Sequence, residues 1–250
     1  MDTALEKSQS ESEQFAPQLR QVHTITDRFS ITNSYLLDDG SMVIVDPASE
    51  LNVRLILDYI RYFLHRSPSE IDLIVLTHLH PDHTTGIEVL RRECHAPVTA
   101  SAVAREMVEA EAQGKRLLPA ITHRAGHTWP GAFHRLDMLP PSYITQAKLV
   151  DSWLNDVEGL PGHPDWRVIA SPGHTPESLC LYNPFTCELL SGDTIITSEG
   201  NSPLARGDSN RSRLQDTLHT LRALRIHYLY PGHGKPILSK HPLANMQVER

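Results

Sequence analysis

The period of the apolar positions changes repeatedly along the chain, and each change marks an element. Residues 1–20 show no period and read as a flexible tail. Strands are predicted over residues 21–26 and 30–37, a turn at Asp39-Gly40, and a buried strand over 41–46. Between residues 51 and 65, Leu55, Ile56, Tyr59, Ile60 and Phe63 recur at three- and four-residue spacing, which predicts a helix with one apolar stripe. Pro68 closes that helix. A compact apolar strand follows over 71–76, then a loop over 77–82, and Thr84 or Thr85 is placed to cap a short helix reaching Arg92. A strand over 97–100 and a helix over 102–112, capped by Ser101, complete the first half.

Residues 113–162 lose the pattern, and are expected to form an insertion over one face with an edge strand or two. Order returns with a strand over 166–170 and a hairpin of 178–182 with 188–191 about Asn183-Pro184-Phe185-Thr186. A loop over 194–210 leads to a helix over 212–225 with Leu214, Leu218 and Leu221 on one side, and a last strand over 226–230. Strands alternating with helices give an α/β class. No internal repeat or linker stands out, so residues 21–250 are expected to fold as one domain.

Composition narrows the function. A chain of 250 residues and 28.1 kDa is long enough to bury a full apolar core. The formal charge of −7 forms no basic block, which argues against a nucleic-acid partner. No run is apolar enough to span a membrane, and the polar, acidic start lacks the marks of a secretory signal, so a cytoplasmic protein is expected. Cys94, Cys180 and Cys187 have no metal-binding or redox spacing and read as buried or half-buried thiols. The oligomeric state stays open, a homodimer included.

The chemistry lies at strand ends. His78-Leu79-His80-Pro81-Asp82-His83 packs three imidazoles and a carboxylate into six positions after a buried strand. Three rings so close would repel when protonated and gain nothing as packing, whereas neutral imidazole and carboxylate suit zinc, iron or manganese. His174 in Pro172-Gly173-His174, Asp193 in Ser191-Gly192-Asp193 and His233 in Pro231-Gly232-His233 follow three further strands, each beside a glycine that permits close backbone approach.

This ordered set resembles the metallo-β-lactamase-fold hydrolases over nearly the whole chain, from about Val22 to Pro236. Asp46, closing an early strand, matches a residue commonly found there. The resemblance implies an αββα sandwich of two mixed sheets with metals at one rim. It implies that His78, His80 and His174 hold a first ion, that Asp82, His83 and His233 hold a second, and that Asp193 bridges them. Two divalent ions are expected, zinc first, with iron or manganese as alternatives. They would share one hydroxide, which Asp82 orients as the catalytic residue before passing a proton to the leaving group.

An aspartate at Asp193 separates the chain from the true β-lactamases of the fold, and His80 stands where the diiron oxygen reductases carry glutamate. The chain after His233 is too short for the glutathione-binding helical domain of glyoxalase II, and Thr84-Thr85-Gly86 replaces that branch's usual Gly-Gly. The substrate expected is a small ester, thioester or lactone. Arg206, Arg211 and Lys235 are candidates to hold an anionic substrate, and Tyr182 to aid the leaving group. His123, His127, His134 and His163 read as solvated loop histidines. Three alternatives stay open: a mononuclear iron dioxygenase acting on persulfides, a phosphodiesterase or nuclease of the same fold, and a non-enzymatic metal-binding protein.

Overall fold

A computed structural model describes residues 22–29, 31–112, 143–198, 201–207 and 209–248. The expected tail over 1–20 and residues 113–142 of the expected insertion, with His123, His127 and His134, lie outside the described residues.

The chain opens with β1 (Val22–Ile25), β2 (Ser34–Asp38) and β3 (Met42–Val45) as an antiparallel meander. The strand expected from residue 30 begins at Ser34, because Thr32 and Asn33 pair instead with His233 and Gly232. Helix α1 (Glu50–Asp58) starts where Ser49 accepts a hydrogen bond from the Asn52 N–H, and a wider turn carries it through Tyr59–Phe63. Its buried stripe is Val53, Ile56, Leu57 and Ile60, whereas Leu55 and Phe63 are 42% and 67% exposed. The segment offers two overlapping apolar stripes, and packing selects the one that includes Val53.

After β4 (Ile71–Val75), Pro81 occupies the first position of the single-turn helix α2 (Pro81–Thr84), where its missing N–H costs nothing. Asp82 and His83 therefore sit on a helical turn rather than in a loop. Thr84 ends that turn instead of capping the next helix, α3 (Ile87–Cys94). Then come β5 (Val98–Ser101), α4 (Ala102–Ala112), α5 (Tyr143–Ala147), β6 (Ser152–Leu154) and β7 (Gly159–Leu160). The last two are the edge strands expected within the insertion. β8 (His163–Ala170) is longer than the sequence suggests, and β9 (Leu179–Asn183) with β10 (Glu188–Gly192) is the expected hairpin. The stretch expected to be a loop over 194–210 contains β11 (Ile195–Thr197) and β12 (Pro203–Ala205). Helix α6 (Arg211–Arg222), capped by Asn210, leads to β13 (Tyr228–Pro231), and the short β14 (Ile237–Leu238) and β15 (Gln247–Val248) follow.

The sheet orders are β1-β2-β3-β4-β5-β6, β14-β13-β10-β9-β8-β7 and the small β11-β12-β15. Strand alternation assigns the layers. Tyr35, Leu37, Val43, Val45, Leu73 and Val75 face Trp166, Val168, Leu179, Leu181, Leu190 and Tyr230 between the two large sheets. The alternate residues Leu36, Ile44 and Ile74 pack outward with Val53, Ile56, Ile87 and Leu90 of the helices. On the other side Cys180, Leu189 and Leu229 pack against Leu214, Leu218 and Leu221 of α6. This is an αββα sandwich. Cys94, Cys180 and Cys187 are buried free thiols. Among the described residues no helix is long and apolar enough to cross a membrane.

Candidate metal centre

All seven side chains singled out in the sequence meet at one rim, past the ends of β4, β8, β10 and β13. His80 Nδ1 lies 2.9 Å from His78 Nε2 and 3.0 Å from His174 Nε2. His83 Nε2 lies 3.3 Å from Asp193 Oδ1 and 3.7 Å from Asp82 Oδ2. His233 Nε2 lies 3.1 Å from Asp193 Oδ2 and 3.3 Å from Asp82 Oδ2, and His174 Nε2 is 3.5 Å from Asp193 Oδ2. Donor atoms within 4.8 Å of one another form three groups: His78, His80 and His174; His78, His83 and Asp193; and Asp82, His83 and His233.

Local folding forces these positions. Gly192 adopts a left-handed φ of 48°, and a Cβ there would come within 2.6 Å of Thr77 Oγ1. A Cβ on Gly232 would collide with Asp193 Oδ1 and the Gly192 backbone. Glycine at 192 thus lets the end of β10 approach Thr77 after β4, and glycine at 232 lets the end of β13 approach that of β10.

The rings are aimed by partners behind them. Asp46, in a left-handed turn after β3, accepts from the Thr77 N–H at 2.8 Å and the Thr77 hydroxyl at 2.6 Å. Its Oδ2 also takes the Nδ1 hydrogen of His83 at 2.8 Å. Thr77 Oγ1 in turn sits 3.1 Å from His78 Nδ1. His233 donates from Nδ1 to the Ile31 carbonyl at 2.8 Å. Each of these contacts spends the Nδ1 hydrogen and turns the Nε2 lone pair of His78, His83 and His233 inward.

The electrostatics of the rim are uneven. Burial, then the neighbouring His83, His80 and His174 rings, push His78 well below its ordinary value. Burial, and after it His174, brings His80 down to about 3. Burial also opposes charge on His83, yet Asp46, Asp82 and Asp193 hold its pKa well above the usual one. His233 is likewise held up to about 9 against burial, chiefly by Asp193. The reciprocal attraction, against the same burial penalty, keeps Asp82 and Asp193 below the usual carboxylate range.

A metal fits this donor set. His83 Nε2 and Asp193 Oδ1 are buried atoms with no hydrogen-bond partner, and with Nδ1 of His83 committed to Asp46, both present lone pairs to each other. A cation between them would satisfy both. The ligands His78, His80, Asp82, His83, His174, Asp193 and His233 are the types that bind zinc, iron or manganese.

The remaining candidates divide. Arg206 reaches the site, with Nη1 3.3 Å from Asp193 Oδ2. Lys235 is exposed beside the His233 loop, its carbonyl accepting from Thr197 Oγ1 at 2.8 Å, and Arg211 is exposed at the start of α6. Tyr182 is not at the site: it lies on the outer face of its sheet, and its hydroxyl donates to the Arg225 carbonyl at 2.9 Å. Even-numbered positions of β9 face α6, away from the sandwich interior where Leu179 and Leu181 point. His163 is not a solvated loop residue either, being 1% exposed and bonded to Asp39. The sequence reading missed Thr32, whose hydroxyl donates to Asp82 Oδ2 at 3.1 Å. It also missed Asn33, whose Nδ2 donates to the carbonyls of Pro231 and Gly234, both at 2.8 Å, and so clamps the His233 loop. Neither carries a local signal, since each acts on residues about 50 or 200 positions away.

Fold and site together define a metal-binding αββα sandwich. The metallo-beta-lactamase superfamily model matches residues 27–233, and the chain belongs to that superfamily. It is 24% identical over 193 residues to the probable metallo-hydrolase YqjP of Bacillus subtilis, covering 73% of this chain and 60% of that protein. It is 29% identical over 175 residues to a hydroxyacylglutathione hydrolase of Hydrogenovibrio crunogenus, covering 70% of this chain and 47% of that protein. The chain thus spans less than two thirds of either relative. Among solved structures the BLEG-1 B3 metallo-beta-lactamase shares the fold, with a TM-score of 0.60, 22% identity, and coverage of 89% of this chain and 95% of that one.

Proposed function

We propose that the protein is a metal-dependent hydrolase of a small ester, thioester or lactone, built around two divalent ions. One observation carries the reading: the Asp193 carboxylate stands between the two histidine groups, with Oδ1 toward His83 and Oδ2 toward both His174 and His233. A single carboxylate so placed suits a bridge between an ion on His78, His80 and His174 and another on Asp82, His83 and His233. Zinc is the first expectation for these nitrogen and oxygen donors, with iron or manganese next.

Bound metal ions would lower the pKa of a coordinated water from 15.7 to about 7 and polarise the substrate oxygen. The protein supplies the rest. Asp82 is the most open of the carboxylates, its side chain 47% exposed against 2% for Asp193. It is held by Thr32 and stands where it can take a proton from the attacking water and deliver it to the leaving group. Arg206, leaning on Asp193, places a positive charge beside the site for an anionic substrate. A hydroxyacylglutathione hydrolase is among the relatives, which supports an acyl substrate.

Elemental analysis of freshly purified protein, followed by turnover assays on ester, thioester, lactone and phosphodiester panels, tests the reading. Two metal equivalents per chain and turnover confined to acyl substrates are expected. Asp82→Ala and His80→Ala should each abolish metal-dependent turnover with the fold retained. Metal-dependent turnover surviving either change would overturn the assignment, and one iron per chain with oxygen consumption would favour a dioxygenase instead.

A further inference from the structure

A second set of polar side chains lines up at the opposite rim of the sandwich, outside the metal centre. His163, the first residue of β8, is 1% exposed. Its Nδ1 lies 2.8 Å and 3.0 Å from the two carboxylate oxygens of Asp39, and its Nε2 lies 3.3 Å from Ser41 Oγ. A carboxylate only accepts, so Nδ1 carries the hydrogen, Nε2 keeps its lone pair, and the Ser41 hydroxyl donates to it. Carboxylate to imidazole to hydroxyl is the order of contacts in which an oriented base activates a serine nucleophile.

The surroundings suit that chemistry. Ser41, His163 and Asp39 line a cavity of about 250 Å³ together with Gly162, Asn183 and Thr186, room for a small acyl group. Arg66 fixes the turn that carries two of the three, with Nη1 2.7 Å from Asp38 Oδ1 and Nη2 3.3 Å from the Gly40 carbonyl. β3 runs from Ser41 toward Asp46 and β8 from His163 toward His174, so the two sites sit at opposite ends of the same strands. Eight residues of β8 alone separate them by roughly 23 Å at a strand's usual rise.

We propose that Ser41, His163 and Asp39 form a second, metal-independent site that is acylated by small activated esters. Ser41 Oγ bonds to the ester carbonyl carbon while its proton passes to His163 Nε2, and Asp39 stabilises the resulting imidazolium. Collapse breaks the carbonyl carbon–alkoxy oxygen bond, and the departing alcohol takes that proton. Water then repeats the sequence on the acyl-serine, releasing the acid and regenerating Ser41. No oxidant or co-reactant beyond water is required.

The full chain, stripped of metal by a chelator, is treated with a fluorophosphonate probe and followed by intact-mass spectrometry and peptide mapping, alongside p-nitrophenyl acetate hydrolysis. One adduct per chain is expected, on Ser41, absent from Ser41→Ala and formed about a hundredfold more slowly in His163→Gln, the contribution of a general base. His80→Ala should label as the parent protein does, so failure of the metal-site reading would leave this result untouched. An unlabelled parent protein, an adduct undiminished in Ser41→Ala, or labelling that requires metal would each overturn the proposal. Because His163 is buried, Ser41→Ala, which removes only a half-buried hydroxyl, decides the matter should His163→Gln fail to fold.

Discussion

Asp46 orients His83 by taking its Nδ1 hydrogen at 2.8 Å, and this turns the opposite nitrogen toward Asp193 Oδ1 at 3.3 Å. The same carboxylate holds the backbone and hydroxyl of Thr77, the residue before His78. One buried acid behind the site therefore sets the direction of two candidate ligands on different elements. Its own backbone sits at a φ of 53°, where Asn is tolerated as well as Asp.

Asp46→Asn should consequently fold, yet lose the fixed tautomer of His83. Metal affinity is expected to fall roughly ten- to a hundredfold, the usual cost of removing a partner behind a ligand. Isothermal titration with zinc on the metal-free protein measures it. Unchanged affinity would show that Asp46 serves only the backbone.

The uneven electrostatics predict two different pH responses. His233, held up to about 9, and His83, held well above its ordinary value, carry protons at neutral pH in the metal-free protein. His78 and His80 do not, since both are pushed down, His80 to about 3. A metal at Asp82, His83 and His233 must displace protons, so its affinity rises about tenfold per pH unit for each proton released, until pH passes about 9. Binding to His78 and His80 should release no protons over the same range, so affinity at their group should depend far less on pH. Chelator competition from neutral pH upward reads both slopes, and equal slopes would refute the asymmetry.

Gly232→Ala places a methyl group against Asp193 Oδ1 and the Gly192 backbone. Relief requires separating the two strand ends, at about 1–3 kcal/mol. Thermal unfolding should report that loss, and elemental analysis should show reduced metal content. A normally loaded, equally stable variant would mean that the strand ends have slack.

Tyr182→Phe gives the opposite expectation. The hydroxyl serves the Arg225 carbonyl on the outer face, so its loss should cost about 1 kcal/mol of stability and leave kcat and KM unchanged. A selective fall in kcat would restore Tyr182 to the reaction.

The sequence carried the metal centre more clearly than the frame around it. The run from His78 to His83 is legible because no packing demand explains three imidazoles so close together. His174, Asp193 and His233 are legible because each follows an apolar strand beside a glycine. The three-residue strands β11 and β12 are too short to show a period, so their segment read as a loop. Tyr182 was misplaced because alternation reveals that a strand has two faces, not which face meets the site. In α1, Leu55 and Val53 both begin acceptable stripes, and only the sheet beneath decides between them. His163 went unrecognised because its partner Asp39 lies 124 positions earlier.

The smallest sheet gives the chain's last described strand an influence far from its own position. β12 pairs with β15 through Leu204–Gln247 and Ala205–Val248, and the next residue, Arg206, leans on Asp193. Gln247 and Val248 thereby act as a rear brace for the guanidinium that touches the bridging carboxylate. Cargo fused beyond them, or a cut just ahead of them, would slacken that brace and be felt at the reactive rim.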